Sequence, residues 1–188
     1  MLHFLPLLLS ALLGAWILRT AIVVALAHQH NQAERTKEAN WAEQPSNPCK
    51  PLISILIPAC NEEATITDCI QSCIQANNGN KEIIVVNDGS NDATSDHAHI
   101  LQAKHPEARI TVIDFACNQG KTAALNEGLP YANGEFVVTL DADTRFSDTS
   151  SLTRLLTPLI QYRTIAACTG NLKIANAERI IPNILSIE

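Results

Sequence analysis

The sequence predicts an α/β protein with a doubly wound, mostly parallel sheet, preceded by an N-terminal transmembrane helix. Beyond residue 52, short runs rich in β-branched residues alternate with segments of helical spacing, as in βαβ units with right-handed crossovers. Two of these runs, Ile53–Ile57 and Ile83–Val86, are nearly continuous hydrophobics, as expected for strands buried on both faces. An almost wholly apolar stretch from Leu2 to Ala27 predicts the membrane helix.

The first 27 residues are interpreted as a membrane anchor. A helix from Leu2 to Ala27 would be about 39 Å long, which exceeds the hydrocarbon core of ~30 Å. Arg19 costs about 2.5–3.5 kcal/mol near a helix centre, so a span that ends near Leu18 would place it at the interface. A cleaved signal peptide is the alternative, because Ala25-Leu26-Ala27 fits a cleavage pattern, but the basic n-region is missing.

Residues 28–52 are interpreted as a polar tether and residues 53–188 as one folded domain. Pro45 and Pro48 favour an extended backbone near the end of the tether. Arg35 and Lys37 follow the apolar stretch and favour the cytoplasm for that side of the membrane. The formal net charge of −6 argues against a nucleic-acid partner, which would need clustered Lys and Arg.

The six cysteines include no C-x-x-C pair. A zinc site or a disulfide framework is therefore disfavoured. Cys69 and Cys73 lie four residues apart on a predicted helix, together with Ile66 and Ile70. They are interpreted as small core residues of a protein in a reducing compartment.

The domain is predicted to contain four strands joined by helices. The strands are expected at Ile53–Ala59, Glu82–Asp88, Arg109–Phe115 and Phe136–Ala142. A helix is expected around Ile66 to Ile74, and a later one is indicated by the helical spacing of Leu152, Leu155, Leu156, Leu159 and Ile160, with Pro158 kinking or ending it. Because sheets of this kind bind ligands beyond the carboxyl ends of their strands, the segments that follow the strands are candidate site residues.

Polar motifs follow the first two strands. Pro58-Ala59-Cys60-Asn61-Glu62-Glu63 follows the first strand, and it is also compatible with helix initiation, with Asn61 as the N-cap. Asn87-Asp88-Gly89-Ser90-Asn91-Asp92 follows the second strand, and it is also compatible with a glycine turn and an aspartate cap. Each motif alone is compatible with a binding loop or with a purely structural one.

The third strand is followed by a motif that suits a diphosphate. It runs from Asn118 through Gly120 and Lys121 to Gly128. A glycine before a helix start and a lysine at that start bring N–H groups, the helix dipole and a cation together. The motif lacks the G-x-x-x-x-G-K-[ST] pattern of a P-loop.

The fourth strand is followed by Leu140-Asp141-Ala142-Asp143-Thr144. Two aspartates at i and i+2 project to one side of an extended backbone. They repel each other unless a cation lies between them, and Mg²⁺ or Mn²⁺ with substrate phosphates fits that requirement. A solvated loop is the alternative interpretation.

These four motifs, in this order, resemble the successive signatures of family 2 glycosyltransferases with the A-type fold, from about Ile53 to the chain end. Thr169-Gly170-Asn171-Leu172-Lys173 further resembles the processive membrane branch, which includes poly-N-acetylglucosamine, chitin-oligosaccharide and hyaluronan synthases. The resemblance implies an inverting, metal-dependent glycosyltransferase that transfers a sugar, N-acetylglucosamine or a similar one, from a UDP-sugar to a growing glycan. Together with the apolar Leu2–Ala27 stretch, a nucleotide-sugar donor predicts an inner or plasma membrane location with the domain in the cytoplasm, where nucleotide sugars are made.

The resemblance implies roles for individual residues in nucleotide-sugar binding. Pro58, Ala59 and Glu62 would line the nucleoside pocket. Asp88 would contact the uracil, and Lys121 would contact the nucleotide.

The resemblance also implies a metal site. Asp141 would face the ribose or the metal, and Asp143 would ligate the Mg²⁺ or Mn²⁺ that holds the diphosphate. Cys60 stands where a tyrosine is usual and Asn87 where an aspartate is frequent, but neither position is an essential metal ligand.

The family pattern continues beyond this sequence. It places a further aspartate well downstream of the fourth motif as the general base, followed by Gln-x-x-Arg-Trp, and beyond Asp148 neither occurs before Glu188. The catalytic residues are therefore unknown, and the chain is expected to be a fragment, a split-gene product or a degenerate copy. It is expected to bind donor nucleotide without elongating a polymer, because the base and the acceptor side are missing.

The expected partners are a UDP-sugar, a glycan or lipid-linked acceptor, the membrane, and a separate polypeptide that supplies the C-terminal half. Transfer to a polyprenyl phosphate and a non-catalytic nucleotide-sugar-binding role are the two alternatives. A nucleotidyltransferase is disfavoured, because it should carry a glycine-rich loop where Pro58-Ala59-Cys60-Asn61 stands.

Overall fold

The structure is a computed structural model of the chain, and it describes residues 14, 16–26, 28–29, 32, 51–162 and 164–171. The chain divides into two compact units, Met1–Pro45 and Ser46–Glu188. In the first unit, residues 16–26 are helical and exposed. Among the residues that the structure describes, no helix combines the length and apolar character needed to cross a membrane. Much of the predicted anchor and most of the tether lie outside the described residues, so both stay predictions.

The second unit contains a four-stranded parallel sheet. Its strands are β1 (Ile53–Ala59), β2 (Lys81–Asn87), β3 (Ile110–Asp114) and β4 (Phe136–Thr139), in the order β3-β2-β1-β4. The chain adds β2 and β3 on one side of β1 and then returns to place β4 on the other side. The predicted doubly wound parallel sheet is thereby confirmed.

Four helices connect and cover the strands: α1 (Ile66–Gln75), α2 (Thr94–Lys104), α3 (Lys121–Gly128) and α4 (Ser151–Gln161). Short 3₁₀ helices at Pro106–Ala108 and Leu129–Tyr131 precede β3 and β4. The helix predicted around Ile66 to Ile74 is confirmed. The helix predicted from Leu152 onward continues through Pro158 to Gln161, so the proline does not end it.

The two faces of the sheet are covered unequally. Alternate residues of β1 point to opposite faces, as the strand period requires, with Ile55 in the larger core and Leu56 in the smaller one. The larger core includes side chains of α1, α2 and α4, and the buried Cys69 and Cys73 belong to it as predicted. The smaller core is formed with α3 through Ala124.

The fourth strand is shorter than the predicted Phe136–Ala142. Leu140 still donates its backbone N–H to the carbonyl of Leu56 (3.0 Å), but a turn follows in which Thr144 donates to the carbonyl of Asp141 (2.9 Å). Leu140 and Ala142 are nevertheless buried. Their apolar side chains fill the end of the core, which is why the sequence pattern extends the strand too far.

Candidate functional site

The carboxyl ends of the strands bring the predicted motifs to one edge of the sheet. Because β1 lies between β2 and β4, the loop after β1 has the loop after β2 on one side and the turn after β4 on the other. The strand order reverses at β1, and such a reversal is where open α/β sheets form their binding crevice.

Reciprocal hydrogen bonds join the loops that follow β1 and β2. The N–H of Asn61 donates to Oγ of Ser90 (3.0 Å), and the N–H of Asn91 donates to Oδ1 of Asn61 (2.9 Å). Asn61 has a positive φ of 56°, a left-handed conformation that asparagine tolerates better than most residues. Asn61 therefore does not cap α1, whose N-cap residue is Thr65, and the helix-cap interpretation is wrong.

A second set of hydrogen bonds continues this connection. The N–H of Glu62 donates to Oγ1 of the fully buried Thr94 (2.8 Å), whose N–H donates to Oδ1 of Asp92 (3.0 Å). The N–H of Glu63 donates to the other oxygen of Asp92 (3.2 Å), and the Glu63 carboxylate accepts the N–H of Ala93 (3.1 Å). The hydrogen bonds from Thr94 and Glu63 lower the pKa of Asp92. These bonds hold the backbone of the first two motifs in one arrangement.

Asp88 connects the second motif to the third. The residue is 3% exposed, and its carboxylate oxygens accept the N–H groups of Gln119 (2.7 Å) and Gly120 (2.8 Å). The neighbouring Gly89 has a φ of 63°, and a Cβ there would lie 2.5 Å from the backbone nitrogen of Asn118. Only a glycine allows the two loops to approach this closely.

The third motif forms the start of α3, as predicted. Gly120 is its N-cap residue with a φ of 92°, and Lys121 is the first helical residue. Asp88 accepts the N–H groups of Gln119 and Gly120, and the contact predicted between a diphosphate and the first turn of α3 stays a prediction. The cation of the motif is present: Nζ of Lys121 lies 2.5 Å from Oδ1 of Asp141, with both side chains more than half exposed.

Asp141 and Asp143 lie on the turn after β4 rather than on extended backbone. Both are exposed, and Asp143 accepts a hydrogen bond from Oγ1 of Thr144 (3.2 Å). The thiol of Cys69 donates to the carbonyl of Asp141 (3.6 Å), which ties the turn to α1. The repulsion that the sequence predicts between the two carboxylates is relieved at Asp141 by the Lys121 ammonium.

The donor set of this turn fits a magnesium or manganese ion that is shared with a substrate. Within the described part of the chain, no group of three or more His, Cys, Asp or Glu residues could hold a metal by itself. Mg²⁺, however, usually binds one or two protein carboxylates together with substrate phosphates and water. The exposed carboxylates of Asp141 and Asp143 match that requirement.

The remaining predicted residues line the same edge of the sheet. Pro58 and Ala59 are the last residues of β1, and both are buried, with the Ala59 methyl in the larger core. Glu62 is partly buried, and its carboxylate accepts a hydrogen bond from Oγ1 of Thr65 (2.9 Å). The nucleoside contacts assigned to these residues and to Asp88 stay predictions.

A polar cluster at the end of β3 was missed by sequence reasoning. Asp114 accepts hydrogen bonds from Ser95 (2.6 Å), from Asn87 (2.9 Å) and from Nε2 of His99 (2.7 Å). Burial by itself would raise the pKa of Asp114, but these bonds together lower it. The bond to Asp114 also raises the pKa of His99. The available signal was an acidic residue at a strand end, but the spacing to Ser95 and His99 has no recognisable pattern.

An open groove of about 580 Å³ lies beside this cluster. Its walls come from the end of β3 and from α3: Asp114, Phe115, Ala116, Gln119, Ala123, Asn126 and Glu127. The groove does not include Asp141 or Asp143.

Comparison with known proteins identifies the family of the domain. The sequence model described as Glycosyl transferase family 2 matches residues 54–184. A poly-beta-1,6-N-acetyl-D-glucosamine synthase of Staphylococcus epidermidis is 35% identical over 136 residues, which is 72% of this chain and 32% of the relative. The synthase of Staphylococcus aureus strain COL is 32% identical over the same proportions. The chain thus spans about a third of the length of the curated relatives it matches.

Solved structures resemble the domain as well. The mannosyltransferase PcManGT from Pyrobaculum calidifontis, in complex with GDP-Man and Mn²⁺, has a TM-score of 0.56 at 25% identity, covering 73% of this chain and 43% of that one. TarS from S. aureus, in complex with UDP-GlcNAc, has a TM-score of 0.51 at 25% identity, covering 59% of this chain and 32% of that one.

Proposed function

The chain belongs to glycosyl transferase family 2, and we propose that it is the donor-binding part of an inverting, metal-dependent transferase. The proposed donor is UDP-N-acetylglucosamine, and the proposed acceptor is a growing glycan. The family membership makes the chain a glycosyltransferase. The proposed sugar and acceptor are supported by the relatives, which are poly-N-acetylglucosamine synthases at 35% and 32% identity.

The observation that carries the proposal is the meeting of the family motifs at one edge of the sheet. The first two motifs are joined through Asn61 and Thr94, and the second and third are joined through Asp88. The third and fourth are joined by the ion pair of Lys121 and Asp141. A nucleoside diphosphate needs this combination of a shaped backbone, a cation and metal-binding carboxylates.

Different residues would contact different parts of the donor. The loops after β1 and β2 present backbone and small side chains to a nucleoside. Lys121 offers a positive charge to the diphosphate, and Asp141 and Asp143 would hold Mg²⁺ or Mn²⁺. When bound, the metal neutralises negative charge on the leaving diphosphate. Since the Lys121 ammonium already contacts Asp141, the protein cation and the metal act on the same region of the donor.

We extend the proposal to the location of the domain. The apolar sequence Leu2–Ala27 supports an uncleaved anchor in the inner or plasma membrane, and Arg35 and Lys37 support a cytoplasmic domain. Mass spectrometry of the mature protein tests this part. A first residue at His28 would show that a signal peptide has been removed and would contradict the anchor.

Calorimetry on the full chain in detergent tests the donor site. UDP-N-acetylglucosamine should bind more tightly with Mn²⁺ than with chelator, and GDP-mannose with Mn²⁺ should bind more weakly than the uridine donor. Equal affinity with Mn²⁺ and with chelator would remove the metal from the proposal. Preference for GDP-mannose would contradict the uridine donor while leaving the family membership intact.

A further inference from the structure

The carboxylate of Asp88 is hydrogen-bonded to the backbone of the protein. The residue is 3% exposed, and its two carboxylate oxygens accept consecutive N–H groups, from Gln119 at 2.7 Å and Gly120 at 2.8 Å. Hydrogen bonds from N–H groups to an ionised carboxylate are roughly twice as strong as neutral ones. The carboxylate therefore fixes the two residues that lead into α3, one of which is the N-cap residue Gly120.

Two neighbouring backbone contacts support the hydrogen bonds of Asp88 to Gln119 and Gly120. Gly89 packs against the backbone of Cys117 and Asn118 so closely that a Cβ would overlap with it. The N–H of Asp88 donates to the carbonyl of Ala59 (2.8 Å), at the end of the central strand. Residues 117–120 are thus held against the rigid junction of β1 and β2, at a separation that the side chain of Asp88 spans.

The held loop leads directly to the cation of the site. Gly120, whose N–H Asp88 accepts, is the N-cap residue of α3, and Lys121 is the next residue. The Lys121 ammonium then reaches Asp141 at 2.5 Å. A movement of residues 119–120 away from Asp88 would shift the start of α3 and with it the base of the lysine side chain.

We propose that Asp88 is a positioning residue, which fixes the loop before α3 and thereby holds the Lys121 ammonium where the donor diphosphate binds. The inference rests on the proposed function for the identity of the ligand. It differs from the role that the family resemblance implies, in which the Asp88 carboxylate contacts the uracil. The two roles predict different effects of an Asp88 substitution on the preference for uracil over cytosine: contact with the uracil requires that the preference be lost, whereas a positioning role leaves it unchanged.

Binding of UDP and CDP, each with Mn²⁺, separates the two roles. Asp88→Asn keeps the shape of the side chain but replaces one accepting oxygen with an NH₂ group, which cannot accept a backbone N–H. A positioning role predicts that the substitution lowers the affinity for UDP and the affinity for CDP by the same factor, about tenfold, as expected from the loss of one charge-assisted contact. Contact with the uracil predicts that the affinity for UDP falls toward that for CDP, while the affinity for CDP is unchanged. This result would overturn the proposal. Asp96→Asn, an exposed carboxylate on α2, is the charge-matched control.

A double-mutant cycle with Lys121→Met tests the route of the effect. If Asp88 acts through Lys121, then Asp88→Asn should weaken nucleotide binding by less than about twofold in the Lys121→Met background. A full tenfold loss in that background would show that Asp88 acts on the nucleotide independently of the lysine and would refute the positioning role.

Amide hydrogen exchange in the nucleotide-free protein tests the contact without any ligand. The N–H groups of Gln119 and Gly120 should exchange slowly in the wild-type chain. In Asp88→Asn they should lose most of that protection, while the amides of β1 and β2 keep theirs. Fast exchange of both amides in the wild type would disprove the proposal even if the variant failed to fold. Absence of UDP binding in the wild type would instead contradict the proposed function and leave the exchange result to decide this inference.

Discussion

The corner formed after β1 and β2 and the turn formed after β4 lie at the same edge of the sheet but are built differently. In the corner, Asn61, Asp92 and Thr94 satisfy backbone N–H groups across two loops with bonds of 2.8–3.2 Å. In the turn, the carboxylates of Asp141 and Asp143 are exposed, and the main side-chain partner is an equally exposed lysine. The corner is complete without a ligand, whereas the turn presents charge for a ligand to use.

The largest effect is expected from a substitution in the turn. Asp143→Ala should reduce UDP affinity in Mn²⁺ to the value measured with chelator, a loss of about 100-fold or ~2.7 kcal/mol. The free energy of unfolding should change by less than about 0.5 kcal/mol, because an exposed turn residue contributes little to the core. Calorimetry and urea unfolding measure the two quantities.

The control for this substitution is Asp96→Ala, which removes an exposed carboxylate from α2. It should leave the UDP affinity unchanged and, because Asp96 lies in the first turn of α2, lower the free energy of unfolding by at most about 1 kcal/mol. An Asp143→Ala variant that loses stability but retains metal-dependent binding would show that the turn stabilises the fold and does not bind the metal, which contradicts the role assigned to it here.

A substitution in the corner should have the opposite profile. Thr94→Val keeps the volume but leaves the N–H of Glu62 without the buried hydroxyl that accepts it, and it removes the hydroxyl donor to Asp92 while the backbone N–H donor remains. We expect the free energy of unfolding to fall by about 1–3 kcal/mol. Urea unfolding measures this change, with Thr157→Val on α4 as the matched control. If Thr94→Val is as stable as the wild type, the corner is not held by these bonds.

The smallest effect concerns the cluster at the end of β3 and depends on pH. The raised pKa of His99 means that its contribution is complete below the unfolded value of about 6.5 and is lost as the pH rises through the folded value. The lowered pKa of Asp114 means that its contribution is present above about pH 3.9 and is lost on acidification through the folded value. The pair therefore stabilises the fold most between about pH 4 and 6.5.

His99→Gln tests this dependence. Since both side chains are substantially exposed, we expect a loss of at most about 1 kcal/mol at pH 5.5 and a smaller loss at pH 8.5. Urea unfolding at the two pH values measures the difference. Equal losses would show that the His99 charge contributes nothing and that only its packing matters.

The fold was largely predictable because burial leaves a regular pattern. All seven residues of β1 are buried, so its run of apolar residues marks both ends correctly. The same pattern misled at β4, where Leu140 and Ala142 are buried although the chain has already begun to turn. Hydrophobic pattern reports which residues leave water, but it does not report the backbone conformation in which they do so.

The site was predictable in its location but less so in its contacts. The rule for parallel sheets places every motif at the carboxyl edge, and the structure agrees. The pairing of Asp88 with Gln119 and Gly120 joins residues about 30 positions apart. No periodicity links such residues, because the contact arises from loop geometry. The sequence therefore indicated an anion-binding helix start, and the structure shows that a carboxylate of the protein fixes the two residues that lead into it.

The order of the strands also bears on the sequence of events during folding. Ile53 of β1 pairs with Lys81 of β2, 28 positions along the chain, but also with Phe136 of β4, 83 positions along. Closing the longer loop costs about 1 kcal/mol more in chain entropy, and distant pairings slow folding. We expect β1, β2 and β3 to acquire protection first in a refolding experiment with pulsed amide labelling, and β4 last. The nascent protein would then possess the corner after β1 and β2 before the turn of Asp141 and Asp143 exists.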